Sequence, residues 1–318
     1  MQAECNHMPF LGLDVGGSHC RSAWLPESTG TTQVFAGVQP AVVGAAKAVE
    51  HLDTVLRAVV PAGTVVEQAV VAMAGAGDRT LATCIVDGLR TRGFDFPLTV
   101  VGDVLAAAAG ALGDEKQVLL WAGTGSFAVA RGRDGRLVRV GGRGFLIGDG
   151  GSAYDLVRNA SRAAIRAFDG LAPATVLGER LAAALGAPSV ARLGATMQQL
   201  TPGDVARHLG VVLQAAAAGD HVAQHVLREG IAELVQLAAA GAVKAGISLR
   251  GARVVLGGGI FTALPARFEE AGAALRLLGA DTVELCDPLS AARGAACLAR
   301  AVATRTEPLA SLAEGAVL

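Results

Sequence analysis

The stretch LDVGGS at residues 13–18 recurs in similar form as WAGTGS at residues 121–126. Both stretches end an apolar run, turn on glycine and serine, and lead into a second β-prone run, which is typical of a hairpin between antiparallel strands. Two such hairpins, one in each half of the chain, indicate an internal duplication. The length of 318 residues also suits two domains, because a single core seldom serves more than roughly 250–300 residues.

The elements predicted around each hairpin follow the same order: three strands, a helix, a strand, a helix, a strand and a helix. In the first half we predict strands at 10–15, 19–25, 31–36, 69–73 and 98–101, and helices at 42–59, 78–92 and from Val104. In the second half we predict strands at 117–122, 127–131, 137–140, within 254–259 and at 282–286, and helices within 152–249, at 265–278 and from Ser290. The repeated order predicts a duplicated α/β domain with a cleft between the copies.

The two glycine–serine turns are candidate phosphate-binding loops. Successive backbone N–H groups in a tight turn can surround an anion, and glycine permits both a positive φ and a close approach of a phosphate. The alternative is that each turn only closes a hairpin. Their equivalent places in the two copies favour the phosphate-binding interpretation.

Two aspartates follow strands of the first copy. Asp14 precedes the first turn, where its carboxylate could hold a magnesium ion through water, or could form an Asx turn with the local backbone. Asp103 follows the apolar run LTVVG and precedes the helix from Val104. It is either a helix N-cap or a general base that accepts the proton of an attacking hydroxyl.

The segment VGGRGFLIGDGGSAYDLV at residues 140–157 concentrates glycine around two charged side chains, Arg143 and Asp149. Its glycines allow the backbone to bend close to a ligand, and the pattern S-x-x-D at Ser152 and Asp155 predicts a capping box. The helix that follows is predicted to end at Gly170 and to place four apolar residues on one face, namely Leu156, Ala160, Ala164 and Phe168. Arg143 and Asp149 either pair with each other or bind a ligand.

Composition limits the classes of partner. The net charge is −1, and the basic residues are spread along the chain, so we expect neither a nucleic-acid partner nor a membrane partner. The five cysteines form no CxxC pair, and the N-terminus has no secretory pattern, which predicts a cytoplasmic protein with reduced thiols. No Walker loop, protein-kinase motif set, HExxH or GxSxG motif occurs.

Five segments in order resemble the actin-like, Hsp70-like sugar kinase superfamily, and within it the N-acetylglucosamine kinase, glucosamine kinase and hexokinase-like branch that includes the BadF/BadG/BcrA/BcrD-type ATPases. The segments are GLDVGGSHCR, VVGDVLAAAAGA, WAGTGSFAVAR, GGRGFLIGDGGSAYDLV and VLGGGIF. The resemblance implies duplicated ribonuclease H-like domains forming two lobes around a central cleft. It implies an N-terminal lobe of residues 1–113, joined by a C-terminal helix at about 290–318, and a C-terminal lobe of residues 114–289 with a helical insertion.

The resemblance also implies a function, which is ATP-dependent phosphorylation of N-acetylglucosamine, glucosamine or glucose at the 6-hydroxyl, with Mg2+, in a homodimer. Asp103 would be the general base and would contact the sugar. The residues implied to bind ATP and its phosphates are Asp14 (through magnesium), Gly16, Gly17, Ser18, Thr124, Gly125, Gly257, Gly258, Gly259 and Ala206. Ala206 precedes Asp220 by fourteen residues. The residues implied to bind the sugar are Gln39, Gly142, Arg143 and Asp149.

Three positions depart from the pattern of the branch. Gln39 stands where an asparagine is common, Arg143 where N-acetylglucosamine kinases tend to have tryptophan, and Gly150 where an acidic or amide residue is frequent. Two alternatives stay open. One is a BadF-type ATPase activator of a dehydratase or reductase, whose iron–sulfur cluster would need thiolates that the sequence lacks between Cys84 and Cys286. The other is a non-catalytic sugar binder.

Overall fold

The structure, a computed structural model of the chain, describes residues 8–76, 78–112 and 117–305. The chain divides into two compact units, one of residues 1–113 with 287–318 and one of residues 114–286. The predicted lobe boundary after residue 113 and the predicted continuation of the last helix to residue 318 lie outside the described residues. No helix in the described ranges has the length and apolar character needed to cross a lipid bilayer.

The described residues form ten strands and thirteen α-helices, with short 3-10 helices at Glu27–Thr29 and Val190–Arg192. The strands are β1 (Phe10–Val15), β2 (His19–Leu25), β3 (Val34–Ala36), β4 (Gln68–Met73), β5 (Leu98–Gly102), β6 (Gln117–Ala122), β7 (Ser126–Arg131), β8 (Leu137–Gly141), β9 (Arg253–Gly257) and β10 (Thr282–Leu285). The helices of the first half are α1 (Pro40–Val43), α2 (Ala45–Val59), α3 (Arg79–Arg90) and α4 (Asp103–Ala111). The later helices are α5 (Ala153–Phe168), α6 (Leu177–Leu185), α7 (Leu193–Met197), α8 (Pro202–Ala206), α9 (Leu209–Ala217), α10 (His221–Lys244), α11 (Gly259–Thr262), α12 (Pro265–Leu277) and α13 (Ser290–Thr304).

Each unit contains a five-stranded mixed sheet. The strand order is β3-β2-β1-β4-β5 in the first sheet and, read in the corresponding direction, β8-β7-β6-β9-β10 in the second. In the first sheet β1, β4 and β5 run parallel, while β2 pairs antiparallel with β1 and β3. In the second sheet β6, β9 and β10 run parallel, while β7 pairs antiparallel with β6 and β8. The duplicated α/β fold predicted from the sequence is therefore confirmed.

Side chains of β1 alternate between the two faces of the first sheet, as strand geometry requires. Leu11, Leu13 and Val15 pack in the cluster that includes residues of α2 and α3. Phe10 packs on the other face, with residues of α4 and α13. Asp14 follows the same alternation, so it projects toward the face that carries α4.

Helices α4 and α13 cross in direct backbone contact. A Cβ placed on Gly294 would lie 2.0 Å from the carbonyl oxygen of Ala106, and one on Gly110 would lie 1.9 Å from that of Ser290. On β1, a Cβ at Gly12 would lie 2.2 Å from the backbone nitrogen of Ala296. These three glycines let α13 lie close to both α4 and the sheet, and no larger residue fits there without a shift of the backbone.

Some predicted elements differ in detail. The predicted helix over 42–59 is two helices, because Gly44 adopts a φ of +84° between α1 and α2. The third strand begins at Val34 and not at residue 31. Thr31 and Thr32 precede it as exposed, irregular backbone.

The predicted capping box of α5 forms only in part. Ser152 Oγ accepts a hydrogen bond from the N–H of Asp155 at 3.2 Å, but the Asp155 carboxylate accepts from the N–H of Gly151 at 3.0 Å. A reciprocal capping box occurs instead on α8, between Thr201 and Asp204. The predicted apolar face of α5 is correct at its first three positions, whereas Phe168 is 60% exposed because it lies at the end of the helix.

Candidate active site

Asp14 and Asp103 lie at the same edge of the first sheet. Asp14 is near the carboxyl end of β1, and Asp103 is the first residue of α4, directly after β5. Strands β1 and β5 both run parallel to β4, so their carboxyl ends lie at one edge. Gly102 is the N-cap of α4, so the alternative that Asp103 is only an N-cap residue is wrong. Its Oδ1 accepts a hydrogen bond from the N–H of Val104 at 3.0 Å.

Asp14 is a buried carboxyl group, only 7% exposed. Burial and the negative charge of Asp103 raise its pKa to about 7, although Arg21 opposes this effect. Arg21 lies directly across the β1–β2 ladder, with Nη1 3.9 Å from Asp14 Oδ2. Asp14 accepts no hydrogen bond from the turn within the described part of the chain, so the Asx-turn alternative is also wrong.

This pair of carboxylates fits a divalent cation. Magnesium binds through carboxylate oxygens and retains several waters. A cation beside Asp14 would offset the repulsion from Asp103 that raises the pKa of Asp14. The chemistry of the donor set is therefore that of a hard cation site.

The first glycine turn is held by Gly37, which follows β3. The N–H of Gly37 donates to the carbonyl of Ser18 at 3.0 Å, and the N–H of Gly16 donates to that of His19 at 2.9 Å. A Cβ on Gly37 would lie 2.2 Å from the carbonyl oxygen of Gly16. Gln39, two residues after Gly37, is the half-buried N-cap of α1.

The second turn, between β6 and β7, is closed by a hydrogen bond of 2.8 Å from the N–H of Gly123 to the carbonyl of Gly125. The predicted positive φ is wrong at Gly16, Gly123 and Gly125, since none of them adopts the left-handed region. Close packing explains Gly125 instead, because a Cβ there would lie 2.8 Å from Oδ2 of Asp149. Within the described residues, the N–H groups of Gly17 and Gly125 form no hydrogen bond.

Thr124, at the tip of this turn, is half-buried. The carbonyl of the preceding Gly123 accepts a hydrogen bond from the N–H of Ala153 at 2.8 Å, which ties the turn to the start of α5. Asp149, predicted from the sequence as a sugar ligand, thus lies against the predicted phosphate turn. The structure brings these two predicted sites together within the second unit.

The segment after β8 does use positive φ angles. They are 75° at Gly141, 62° at Gly142 and 58° at Asp149, a conformation that aspartate tolerates better than most residues. Arg139 holds the start of this segment, because its guanidinium donates to the carbonyls of Gly141, at 3.0 Å, and Gly142. Arg143 is exposed. Arg139 was missed by sequence reasoning, since an arginine within a β-strand is not by itself a functional signal.

A buried network holds the end of the same segment. The Asp155 carboxylate, 1% exposed, pairs with Arg158 and accepts from Asn159 Nδ2 at 3.1 Å. Arg158 Nη1 in turn donates to the carbonyl of Phe145 at 3.1 Å, and the Phe145 ring meets Tyr154 edge-on at 5.1 Å. The capping pattern at Ser152 therefore predicted the right residues but not the role of Asp155, which positions the loop before the helix.

The three glycines after β9 have different structural reasons. The Trp121 ring occupies the space of a side chain at Gly257, with its Cε3 2.5 Å from a Cβ built there. Gly258 has a φ of +90° and turns the chain against the carbonyl of Ala122. Gly259 has open space beside it. The Trp121 ring also stacks on the Phe127 ring, with 6.2 Å between the ring centres. The sequence did not predict that Trp121 lies between the candidate adenosine loop and the second turn.

Ala206 and Asp220 lie in the helical part of the second unit. Ala206 ends α8 and is 6% exposed. Asp220 is the N-cap of α10, and its carboxylate accepts hydrogen bonds from Ala223 N, Val176 N and Thr175 Oγ1 at 2.9, 2.9 and 2.7 Å. Asp220 is thus a structural residue, and the adenosine contact of Ala206 stays a prediction.

Helix α10 packs against two further glycines of the segment. A Cβ on Gly151, whose φ is +72°, would lie 2.3 Å from the carbonyl oxygen of Gly230. A Cβ on Gly150 would lie 1.7 Å from Oε2 of Glu233. Glu233 was missed because nothing in the sequence near residue 150 indicates which distant helix packs there.

Comparison with known proteins shows the family and the fold of the chain. The chain is 29% identical to the N-acetylmuramic acid/N-acetylglucosamine kinase of Clostridium acetobutylicum over 279 residues, 82% of this chain and 88% of that protein. A crystal structure from Chromobacterium violaceum, provisionally assigned as an N-acetylglucosamine kinase, has a TM-score of 0.71 at 23% identity, covering 91% and 98% of the two chains. The ROK hexokinase of Thermus thermophilus has a TM-score of 0.51 at 18% identity, covering 91% and 98%. The BadF/BadG/BcrA/BcrD ATPase family matches residues 11–273, and the chain belongs to that family.

Proposed function

We propose that this protein is an ATP-dependent amino sugar kinase that transfers the γ-phosphoryl group of ATP to the 6-hydroxyl of its sugar. The observation that carries the proposal is the pairing of Asp14 with Asp103 at the carboxyl edge of the first sheet. The similarity to a kinase of N-acetylmuramic acid and N-acetylglucosamine supports an amino sugar as acceptor.

In this proposal Asp103 is the general base. Its carboxylate accepts the proton of the sugar hydroxyl as that oxygen bonds to the γ-phosphorus and the bond to the β-phosphate oxygen breaks, releasing ADP. A positioned base of this kind contributes about 10²–10⁴-fold to a rate. The negative charge of the carboxylate suits the role, since the group must be ionised before the proton is transferred.

Asp14 would hold magnesium through water, and the metal would supply positive charge to the phosphates of ATP. The phosphate-binding residues in the proposal are those of the two turns, Gly16, Gly17, Ser18, Thr124 and Gly125. The backbone N–H groups of Gly17 and Gly125, which form no hydrogen bond within the described chain, are suitable donors. Phosphoryl transfer depends mainly on such alignment and charge stabilisation.

The sugar-binding residues in the proposal are Gln39, Gly142, Arg143 and Asp149. Arg143 is an exposed donor, and Asp149 is an acceptor in a constrained backbone conformation. The adenosine contacts are assigned to Gly257, Gly258, Gly259 and Ala206. Of these, Gly259 is the position with open space for a ligand.

The test is sugar-dependent release of ADP. The purified protein would be incubated with ATP and magnesium and with N-acetylglucosamine, N-acetylmuramate, glucosamine or glucose in parallel. We expect release with at least one amino sugar, and formation of the 6-phosphate by NMR. ADP release that no sugar stimulates would contradict the proposal and favour the ATPase-activator alternative. Sugar binding without ADP release would favour a non-catalytic binder.

A further inference from the structure

The Glu233 carboxylate occupies the place that a side chain of residue 150 would take. Its Oε2 lies 1.7 Å from the position of a Cβ on Gly150, and its own Cβ lies 3.4 Å from that position. The φ of Gly150 lies outside the left-handed region, so its backbone would accept other residues. A side chain at position 150 would therefore meet the Glu233 carboxylate and displace it.

This placement puts Glu233 beside residue 150, on the loop that ends the proposed sugar segment. Ser126 Oγ donates to the carbonyl of Gly150 at 2.7 Å and holds the loop from the side of β7. Gly151 packs against the carbonyl of Gly230, so the loop is also held from the side of α10. The loop is thus fixed on two sides, and the exposed Glu233 carboxylate lies against it.

The charge around Glu233 is negative. The charged groups that act on Glu233 are Asp155, Glu229 and Arg158. Arg158, the one positive group among them, is paired with Asp155. Burial together with Asp155 and Glu229 raises the pKa of Glu233, and Arg158 opposes this. Within the described residues the Glu233 carboxylate accepts no hydrogen bond. An exposed acceptor that has no donor in the described chain is suited to a ligand that brings hydroxyl groups.

We propose that Glu233 is a specificity-determining residue that acts in place of a side chain at position 150, accepting a hydrogen bond from the sugar and disfavouring an anionic sugar. This inference rests on the proposed function, because it takes residues 142–150 as part of the sugar site. Repulsion of the wrong ligand is a common means of specificity. N-acetylmuramate carries a carboxylate that N-acetylglucosamine lacks, so the two sugars report on this charge.

The first experiment exchanges the two positions. Glu233→Ala, Gly150→Asp and the double variant would be compared by the calorimetric Kd for N-acetylglucosamine and by its kcat/KM. Each single change is expected to weaken binding at least about fivefold, one by losing the acceptor and the other by crowding two carboxylates. The double variant is expected to return to within about threefold of the unmodified protein, since its aspartate enters the space that alanine vacates. Additive losses would overturn the proposal.

The second experiment measures discrimination. Glu233→Gln is expected to raise kcat/KM for N-acetylmuramate relative to N-acetylglucosamine by about fivefold or more. Glu229→Gln removes the same charge one helical turn away and is expected to change that ratio by less than about twofold. Equal effects of the two variants would overturn the proposal.

Calorimetry separates failure of this inference from failure of the proposed function. If no sugar stimulates ADP release but Glu233→Gln still shifts the two sugar affinities as expected, the kinase proposal fails and the role of Glu233 stands. If ADP release is sugar-dependent and the variants behave alike, only the role of Glu233 fails. A protein that binds none of the sugars would overturn both.

Discussion

Asp103 acts on Asp14 through its charge, and this interaction joins the ends of two strands that are separated in the sheet by β4. Together with burial it raises the pKa of Asp14 to about 7, against the opposing effect of Arg21. A carboxyl group in this state is poorly stabilised as an anion until a cation approaches. The relationship leads to predictions for stability as well as for catalysis.

Asp14→Asn is expected to stabilise the metal-free protein at pH 8. The folded pKa is above the unfolded value of about 4, so the folded chain keeps a proton that the unfolded chain has lost between about pH 4 and 7. The free energy of unfolding therefore falls as the pH rises through this window. Above pH 7 the variant is expected to exceed the unmodified protein by on the order of 1–4 kcal/mol in urea unfolding.

At pH 4 the two proteins are expected to unfold at similar urea concentrations, since neither then carries the buried charge. Asp281→Asn makes the same chemical change at an exposed position and is the control. An Asp14→Asn protein whose stability at pH 8 is equal to or lower than that of the unmodified protein would show that the buried charge is not destabilising. Magnesium is expected to raise the Tm of the unmodified protein and not that of the variant.

Asp103→Asn is expected to lower kcat at least about a hundredfold, because the amide cannot accept the hydroxyl proton. The KM for ATP is expected to change less than about threefold, since the carboxylate is assigned to the sugar hydroxyl and not to the nucleotide. Steady-state ADP release gives both constants. Asp87→Asn, at an exposed position of α3, is the control. Turnover close to that of the unmodified protein would remove Asp103 from the role of base.

Arg143→Gln and Arg139→Gln are expected to separate recognition from support. Because Arg143 is assigned to the sugar, its loss is expected to raise the sugar KM about fivefold to thirtyfold. Because its side chain is exposed, little change in Tm is expected. Arg139 donates to the carbonyls of Gly141 and Gly142, so its loss is expected to raise the sugar KM and also to cost about 1–2 kcal/mol of stability.

Kinetics with a sugar that the protein phosphorylates, together with urea unfolding, would measure both effects. If Arg143→Gln left the sugar KM unchanged, the assignment of Arg143 to the sugar would be wrong. If Arg139→Gln were as stable as the unmodified protein, its hydrogen bonds would not hold the segment.

Gly294→Ala is expected to destabilise the protein by at least about 2 kcal/mol, because its Cβ would lie 2.0 Å from the carbonyl oxygen of Ala106. Gly210→Ala in α9 is the matched control, since it has no atom within 4 Å of its Cβ and is expected to add about 0.5–1 kcal/mol. Helix propensity alone predicts a gain at both positions. Chemical denaturation of the two variants decides whether the α4–α13 contact is as close as described.

Much of the first unit follows from local signals. The hairpin at residues 13–18, the apolar run of β4 and the break before α4 are each visible in short stretches of sequence. The sequence indicates that Asp14 and Asp103 each stand at the end of a strand, but not that they lie close to each other. That they act on each other depends on the parallel order β1-β4-β5 and on the alternation that turns Asp14 toward α4.

The glycine-rich segments show the limit of sequence reasoning most directly. The sequence shows that backbone freedom or closeness is needed near residues 123–125 and 141–151, but not which of the two. Gly142 needs a left-handed φ, whereas Gly125 lies against the Asp149 carboxylate and Gly150 against that of Glu233. A steric requirement set by another part of the chain leaves no mark in the local pattern.

The sequence by itself determined the duplication, the order of strands and helices, and the positions where chemistry-bearing residues leave strands, because these depend on periodicity and turn residues within a few positions. Only the tertiary structure decided what lies beside those residues. Arg21 faces Asp14 across a ladder, Asp155 supports a loop that precedes it, and Glu233 comes to Gly150 from a helix some eighty positions later. The first two contacts depend on the register of a hairpin and on the path of a loop, and the third depends on packing between distant segments, which local sequence patterns do not encode.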